Sequence, residues 1–466
     1  MKKLTIKDII IIALSAVCTT LVAVAIVFGV AFGKKEKQIS KMQKASAETY
    51  DFYITMGTMP TLYATINAYD NANPNTYMWF YRGNTISKEY SADFIHYFDT
   101  QSETNANSEV DYMLIRQKVA ELRENNPYGK FHLYCDDIRV RYVLDIFVAA
   151  GVDFEDLQVT LLSDGTQTYQ LYSQMTEESY AGLEDGWNAF LKEYVDNRAN
   201  SAFTKYSEDG ATELEKYAFY LATKSNVSYW MQHPDYLENT ISDSINTDRY
   251  NMNIVKKDPK AMYNSLDEKV KQEYQKVVLA NALVDSETLK TLDDAVEYFD
   301  SQLANRDKDV VLILGTKFDT LATNQTFMDQ TIAYYTPTLK NATTVSFKGK
   351  DYTISSGATE FVADDEKTYT IGELSVYLFF KGHPAYPAKE DLAQYFEEKG
   401  IVVLPHRTPV ETLFWMYDVK VGGYESTSFF SCEQGQVEFF YGALTIDALK
   451  EMQDLGFFDG AATFTN

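Results

Sequence analysis

His383 lies in the tight sequence Lys381-Gly382-His383-Pro384, directly after the apolar run Ser375-Val376-Tyr377-Leu378-Phe379-Phe380. A histidine at the end of a strand can donate a hydrogen bond, or a positive charge, to a departing phosphate. Further on, Lys420-Val421-Gly422-Gly423-Tyr424-Glu425-Ser426-Thr427 reads as a glycine-rich turn. The hydroxyls and amides of Ser426 and Thr427 could hold phosphate oxygens there. Asp164 sits in the turn Ser163-Asp164-Gly165-Thr166 after a strand-like segment. A carboxylate projecting from such a turn could take a proton from an attacking hydroxyl. Glu411 follows Pro405 and Pro409 at the start of a helix, where a carboxylate suits a pair of ribose hydroxyls. Each residue also has an ordinary reading: an Asp-Gly turn, a loop histidine, a Ser/Thr helix cap, and a first-turn glutamate favoured by the helix dipole.

Other chemistries find less support. His96, His132 and His406 show no metal-ligand spacing, and His233 precedes Pro234 in a stretch that reads as helical with no strand before it. Asp136 and Asp137 are adjacent at a strand end, so their side chains point apart, and Asp364-Asp365-Glu366 reads as a solvated turn. The chain has no Walker loop, no dinucleotide glycine fingerprint and no Gly-x-Ser-x-Gly turn.

The candidate residues need elements to position them, and the pattern supplies alternating strands and helices. Asp51–Thr55, Lys130–Tyr134, Leu157–Leu162, Asp309–Leu314, 375–380 and 401–404 read as strands. Helical spacing runs over Ile138–Ala150, through much of the acidic, tyrosine-rich middle at 172–305, and over Ile446–Leu455. Strands separated by helices predict parallel βαβ units, and such sheets bind ligands at the carboxyl ends of their strands. The expected fold class is α/β, with two Rossmann-like halves joined near residue 306 and a cleft between them.

Ile9–Phe32 contains no charged residue and is long enough to cross a hydrocarbon core, so an uncleaved N-terminal transmembrane anchor is expected, followed by a polar stem at 34–48. Lys34, Lys35, Lys37, Lys41 and Lys44 outnumber Lys2, Lys3 and Lys7, which favours a cytoplasmic position for the rest of the chain. Cys135 and Cys432 are the only cysteines outside the apolar run, too few for a disulfide framework. The net charge of −25 argues against nucleic acid as a partner. Any anionic ligand must be held by local donors against that general field.

Taken in order, Leu162-Ser163-Asp164-Gly165-Thr166, Phe380-Lys381-Gly382-His383-Pro384, Thr408-Pro409-Val410-Glu411-Thr412-Leu413 and Lys420-Val421-Gly422-Gly423 with Ser426-Thr427 resemble the motifs of bacterial sialyltransferases of glycosyltransferase family 80. Thr55-Met56-Gly57-Thr58-Met59-Pro60 is similar to that family's first strand-loop. The resemblance spans roughly residues 50–456 and is concentrated between about 375 and 431. It implies a GT-B pair of Rossmann-like domains: 49–305 on the acceptor side with a helical insertion, 306–444 holding the nucleotide sugar, and 445–466 packing back on the first domain. It further implies an inverting, metal-independent transfer of sialic acid from CMP-sialic acid to a galactoside-type hydroxyl, with no cofactor besides the donor. By position, Asp164 would be the general base and His383 would assist the departing CMP phosphate. Ser426 and Thr427 would contact that phosphate and Glu411 the ribose, with Lys381, Gly382, Pro384 and Gly315 also on the donor side. Phe318 and Asp136 would fall on the acceptor side. The sequence departs from the family at Ser163, where an acidic residue is expected, and at Thr427, in place of a second serine. It departs again at Phe318, in a loop where the family has a tryptophan, and near Asp136, where a histidine is missing. The alternatives are a GT-B transferase for another CMP-nonulosonic acid or nucleotide sugar, and a membrane-anchored carbohydrate-binding protein without activity.

Overall fold

The computed structural model describes residues 34, 35, 37, 47–82, 85–98, 108–137, 140–173, 177–196, 217–236, 251–316, 319–384 and 386–465. The expected anchor Ile9–Phe32 and most of the stem lie outside them. Among the described residues no helix is long and apolar enough to cross a membrane.

Seven strands form the first sheet: β1 (Thr49–Thr55), β2 (Thr76–Phe80), β3 (Ile95–Tyr97), β4 (Lys130–Asp136), β5 (Leu157–Leu162), β6 (Val227–Met231) and β7 (Ile254–Lys256). Their order is β3-β2-β1-β4-β5-β6-β7, and every neighbouring pair is parallel. Parallel pairing needs crossover helices on the faces, which bury both sides of each central strand. Accordingly, six of the seven residues of β1 are buried. The middle of the chain thus contributes two strands as well as helices. His233 follows β6 rather than lying in a helix, so it repeats the strand-then-His-Pro arrangement of His383.

Helices Pro259–Ser265, Glu268–Leu279, Ala282–Asp285 and Leu292–Leu303 lead to the second sheet. The last of these starts from a reciprocal capping box between Thr291 and Asp294. β8 (Asp309–Leu314) is followed by an insertion holding β9 (Thr338–Asn341), β10 (Thr344–Phe347), β11 (Lys350–Thr353), β12 (Glu360–Val362) and β13 (Thr368–Thr370). These five strands form two small antiparallel sheets over their own core of Val345, Phe347 and Phe361. The main sheet then resumes with β14 (Val376–Lys381), β15 (Val402–Val403), β16 (Val419–Tyr424), β17 (Val437–Tyr441) and β18 (Ala462–Phe464).

The second sheet runs β15-β14-β8-β16-β17-β18, again all parallel. Its centre, β8, alternates faces with a period of two. Val310, Leu312 and Leu314 join the large core that continues into the first half, while Val311 and Ile313 face the outer helices with Phe380 and Phe396. The segment read as a glycine-rich turn is a strand, β16, for a steric reason. A Cβ on Gly422 would lie 2.4 Å from the Phe439 ring, and one on Gly423, at φ +120, would lie 2.5 Å from the Leu314 carbonyl oxygen. Glycine there lets β16 press against β8 and β17.

The helix Asp447–Asp454 touches helix Thr166–Ser173 of the first half, and β18 then returns to the second sheet beside β17. Cys135 and Cys432 are buried free thiols.

Candidate functional site between the two sheets

In both sheets the connections reverse direction beside the first strand, between β1 and β4 and between β8 and β16, and a crevice opens at the carboxyl end of such a reversal. Here the two crevices share one cavity of about 440 Å³, within the range of small-ligand sites. Thr58, which follows β1, and Arg82 and Thr85, which follow β2, line one wall. Gly315 after β8, Gly382, His383 and Pro384 after β14, and Ser426 and Thr427 after β16 line the other, with Lys381 and Glu411. Every donor-side residue expected from the sequence is therefore at this cavity.

The residues of this second wall hold one another in place. Glu411 is in the first turn of helix Val410–Met416 and accepts a 2.6 Å hydrogen bond from the Ser428 hydroxyl. Ser426 caps the short 3₁₀ turn Thr427–Ser431 by accepting from the Ser428 amide at 3.2 Å. The cap and first-turn roles are thus real, and the same side chains line the cavity. Lys381 is 3% exposed, and its ammonium donates to the carbonyls of Gly382 at 2.9 Å and His406 at 2.6 Å. Burial lowers its pKa to about 8. Its head group thus fastens the end of β14 to the 405–409 loop.

Arg82, Arg407 and Asp285 were missed from the sequence. Arg82 donates to the Thr58 hydroxyl at 3.2 Å and shares the cavity wall with it. Its position just past the strand-like Met78-Trp79-Phe80-Tyr81 is the one signal that could have marked it. Arg407 enters the cavity from the second half. Asp285 pairs with the Arg407 Nε at 3.3 Å and the His406 Nδ1 at 3.1 Å, and accepts from the Arg407 amide at 2.7 Å. No local pattern joins residues so far apart. The result is a site with arginines from both halves in a strongly acidic chain.

Asp164 is in the turn after β5, where Gly165 adopts φ +78. Its amide donates to Thr168 Oγ1 at 3.1 Å, and Ser163 Oγ donates to that same oxygen at 3.2 Å. Thr168 Oγ1 and the Tyr229 hydroxyl each donate at 2.5 Å to Oδ2 of the buried Asp137. This network fixes the turn. A Cβ built on Gly57 would fall 2.0 Å from Asp164 Oδ1, so the carboxylate lies against the residue preceding Thr58 at the cavity wall.

Asp136 is 1% exposed, and its Oδ2 accepts from the amides of Met56 at 2.9 Å and Gly57 at 2.8 Å. Phe318 lies outside the described residues. After it, Asp319 accepts from the Thr316 amide at 2.7 Å and from Asn324 at 3.3 Å, closing the loop that begins at Gly315. Among the described residues no cluster of three His, Cys, Asp or Glu side chains could hold a metal ion.

No family model and no curated protein matches the sequence. Solved structures do match. The α/β-galactoside α-2,3-sialyltransferase of Photobacterium phosphoreum superposes with a TM-score of 0.56 at 14% identity, covering 90% of this chain and 99% of that one. The GT-B domain of the Photobacterium damselae sialyltransferase gives 0.57 at 14%, covering 90% and 100%. A Photobacterium 2,6-sialyltransferase, solved with CMP and lactose, gives 0.53 at 15%, covering 90% and 78%. At these identities the likeness is one of fold: this chain has the two-sheet parallel α/β architecture of the bacterial GT-B sialyltransferases.

Proposed function

We propose that the protein is an inverting sialyltransferase that moves sialic acid from CMP-sialic acid to a hydroxyl of a galactoside-type acceptor. The observation that carries this reading is convergence. Gly315, Gly382-His383-Pro384, Glu411 and Ser426-Thr427 are dispersed in sequence yet share one cavity with Arg82 and Arg407. Strand ends, serine and threonine hydroxyls and arginines suit a ligand carrying a phosphate and a carboxylate. That one neighbour was solved with CMP and lactose adds support for a nucleotide donor and a sugar acceptor.

In this reading Asp164 takes the proton from the acceptor hydroxyl as its oxygen bonds to the anomeric carbon. The bond from that carbon to the phosphate oxygen breaks, and its electron pair leaves with CMP. His383 and the Ser426–Thr427 segment meet the charge that develops on the phosphate. Glu411 holds the ribose, and Ile9–Phe32 anchors the chain in a membrane with this site in the cytoplasm.

The test is transfer by the purified full chain given CMP-sialic acid and lactose. CMP release should require lactose and fall at least about a hundredfold in Asp164→Asn, the scale of a lost general base. Failure of the wild-type protein to bind CMP would overturn the reading.

A further inference from the structure

We propose that Asp136 is the positioning residue for the Asp164 carboxylate, acting through the Met56–Gly57 turn. This rests on the reading of Asp164 as the base.

Three observations meet at this turn. The backbone of Gly57 is extended, at φ −78 and ψ 159, which any residue adopts. Glycine is therefore not required there by conformation. It is required by space, since a Cβ would stand 2.0 Å from Asp164 Oδ1 and 2.8 Å from its Cγ. The Asp164 carboxyl thus rests directly on the Gly57 backbone. That backbone is held in turn by Asp136, whose Oδ2 accepts both the Met56 and the Gly57 amides. The chain of contact runs from β4 through the end of β1 to the turn after β5.

The other oxygen of Asp136 is buried and has no hydrogen-bond partner among the described residues. A buried carboxylate oxygen without a partner disfavours the ionised form. Burial, and then the charge of Asp164, hold the Asp136 carboxyl well above the usual carboxylate range. The two amides and the nearby Asp137 act on it more weakly, in opposite senses. A carboxyl held towards its neutral form at Asp136 spares the turn a second buried negative charge beside Asp164. Asp136 shapes the base without touching the acceptor.

The experiment measures kcat, KM for donor and acceptor, thermal midpoint and CMP affinity on the full chain carrying Gly57→Ala, Asp136→Ala or Asp136→Asn. Gly57→Ala and Asp136→Ala should each lower kcat about tenfold to a hundredfold, the scale of a displacement near 1 Å, with CMP affinity within about twofold of wild type. Asp136→Asn supplies a neutral group of the same shape whose oxygen can still accept both amides, and should restore kcat to within about threefold. A merely structural aspartate would lower the thermal midpoint and show no such split between kcat and CMP binding. Should Asp136→Ala fail to fold, Gly57→Ala still tests the contact through which Asp136 acts, because its backbone accommodates alanine. Wild-type kcat in Gly57→Ala overturns the proposal, as does a loss in Asp136→Asn equal to that in Asp136→Ala. A wild-type chain that transfers nothing sinks the functional reading and this proposal with it, an outcome distinct from an active wild type with unaffected variants.

Discussion

Lowering the pH should loosen the junction between the two halves through His233. Its Nε2 lies 2.8 Å from the Phe430 carbonyl oxygen, and its ring packs edge-on against Phe430 at 5.1 Å and Phe457 at 5.2 Å. Burial lowers its pKa from 6.5 to about 4, so the folded state holds the ring neutral. A histidine depressed in this way withholds a proton that the unfolded chain binds. Stability is therefore complete above the unfolded value of 6.5 and is lost as the pH falls towards 4. At pH 5 the unfolded ring is almost wholly protonated and the folded one about a tenth, a difference worth about 2 kcal/mol relative to pH 8. His132, also lowered to about 4 by burial, adds a loss of the same order, so the wild-type chain should lose about 4 kcal/mol over this range from the two rings. His233→Gln isolates one of them. The amide can still donate to the Phe430 carbonyl but cannot titrate, and it gives up the ring packing, which costs about 1 kcal/mol. Urea midpoints at pH 8 and pH 5 supply the assay. The variant should be the less stable protein at pH 8 and the more stable one at pH 5. An identical pH dependence in the two proteins would refute the assignment of a neutral His233 in the folded state.

Two further outcomes follow from the same contacts. Gly423→Ala combines a left-handed φ of +120 with a Cβ 2.5 Å from the Leu314 carbonyl oxygen, and should destabilise the second half by about 2 kcal/mol or more, read as a lower thermal midpoint. Asp285→Ala unpairs Arg407 and His406 at the cavity edge, and should raise KM for the proposed CMP-linked donor about tenfold while changing kcat less; an unchanged donor KM would show that the pair does not hold the 405–409 loop for the ligand.

The legible strands were those whose burial is continuous and whose flanks are helical. β1, β4, β5, β8 and β14 are apolar runs closed by turns, because both faces of a parallel sheet are covered. β16 was illegible because two glycines inside a strand read locally as a turn, and only the Phe439 ring and the Leu314 backbone explain them. β6 was hidden in a stretch dominated by helices, which also disguised the strand that precedes His233. In the site, the cavity-lining residues of the second half were legible as a group because each ends a strand or starts a helix within a short motif. Arg407 with Asp285, and Asp136 with Gly57, depend on contacts between distant segments that no spacing encodes.

The β9–β13 insertion leaves and rejoins the main fold at a single point. Ser375 donates from its amide and hydroxyl to the Tyr335 carbonyl, and Gly372 donates to the Pro337 carbonyl, so entry and exit are hydrogen-bonded neighbours. Outside that neck it is tethered by ion pairs, the exposed Lys367 to Asp309 and the half-buried Lys348 to Glu438 among them. A segment with its own core and a closed neck is, for the rest of the chain, interchangeable with a short turn. Its length can drift between related proteins, and reporter domains can be grafted onto it, while the cleft between the sheets keeps its dimensions.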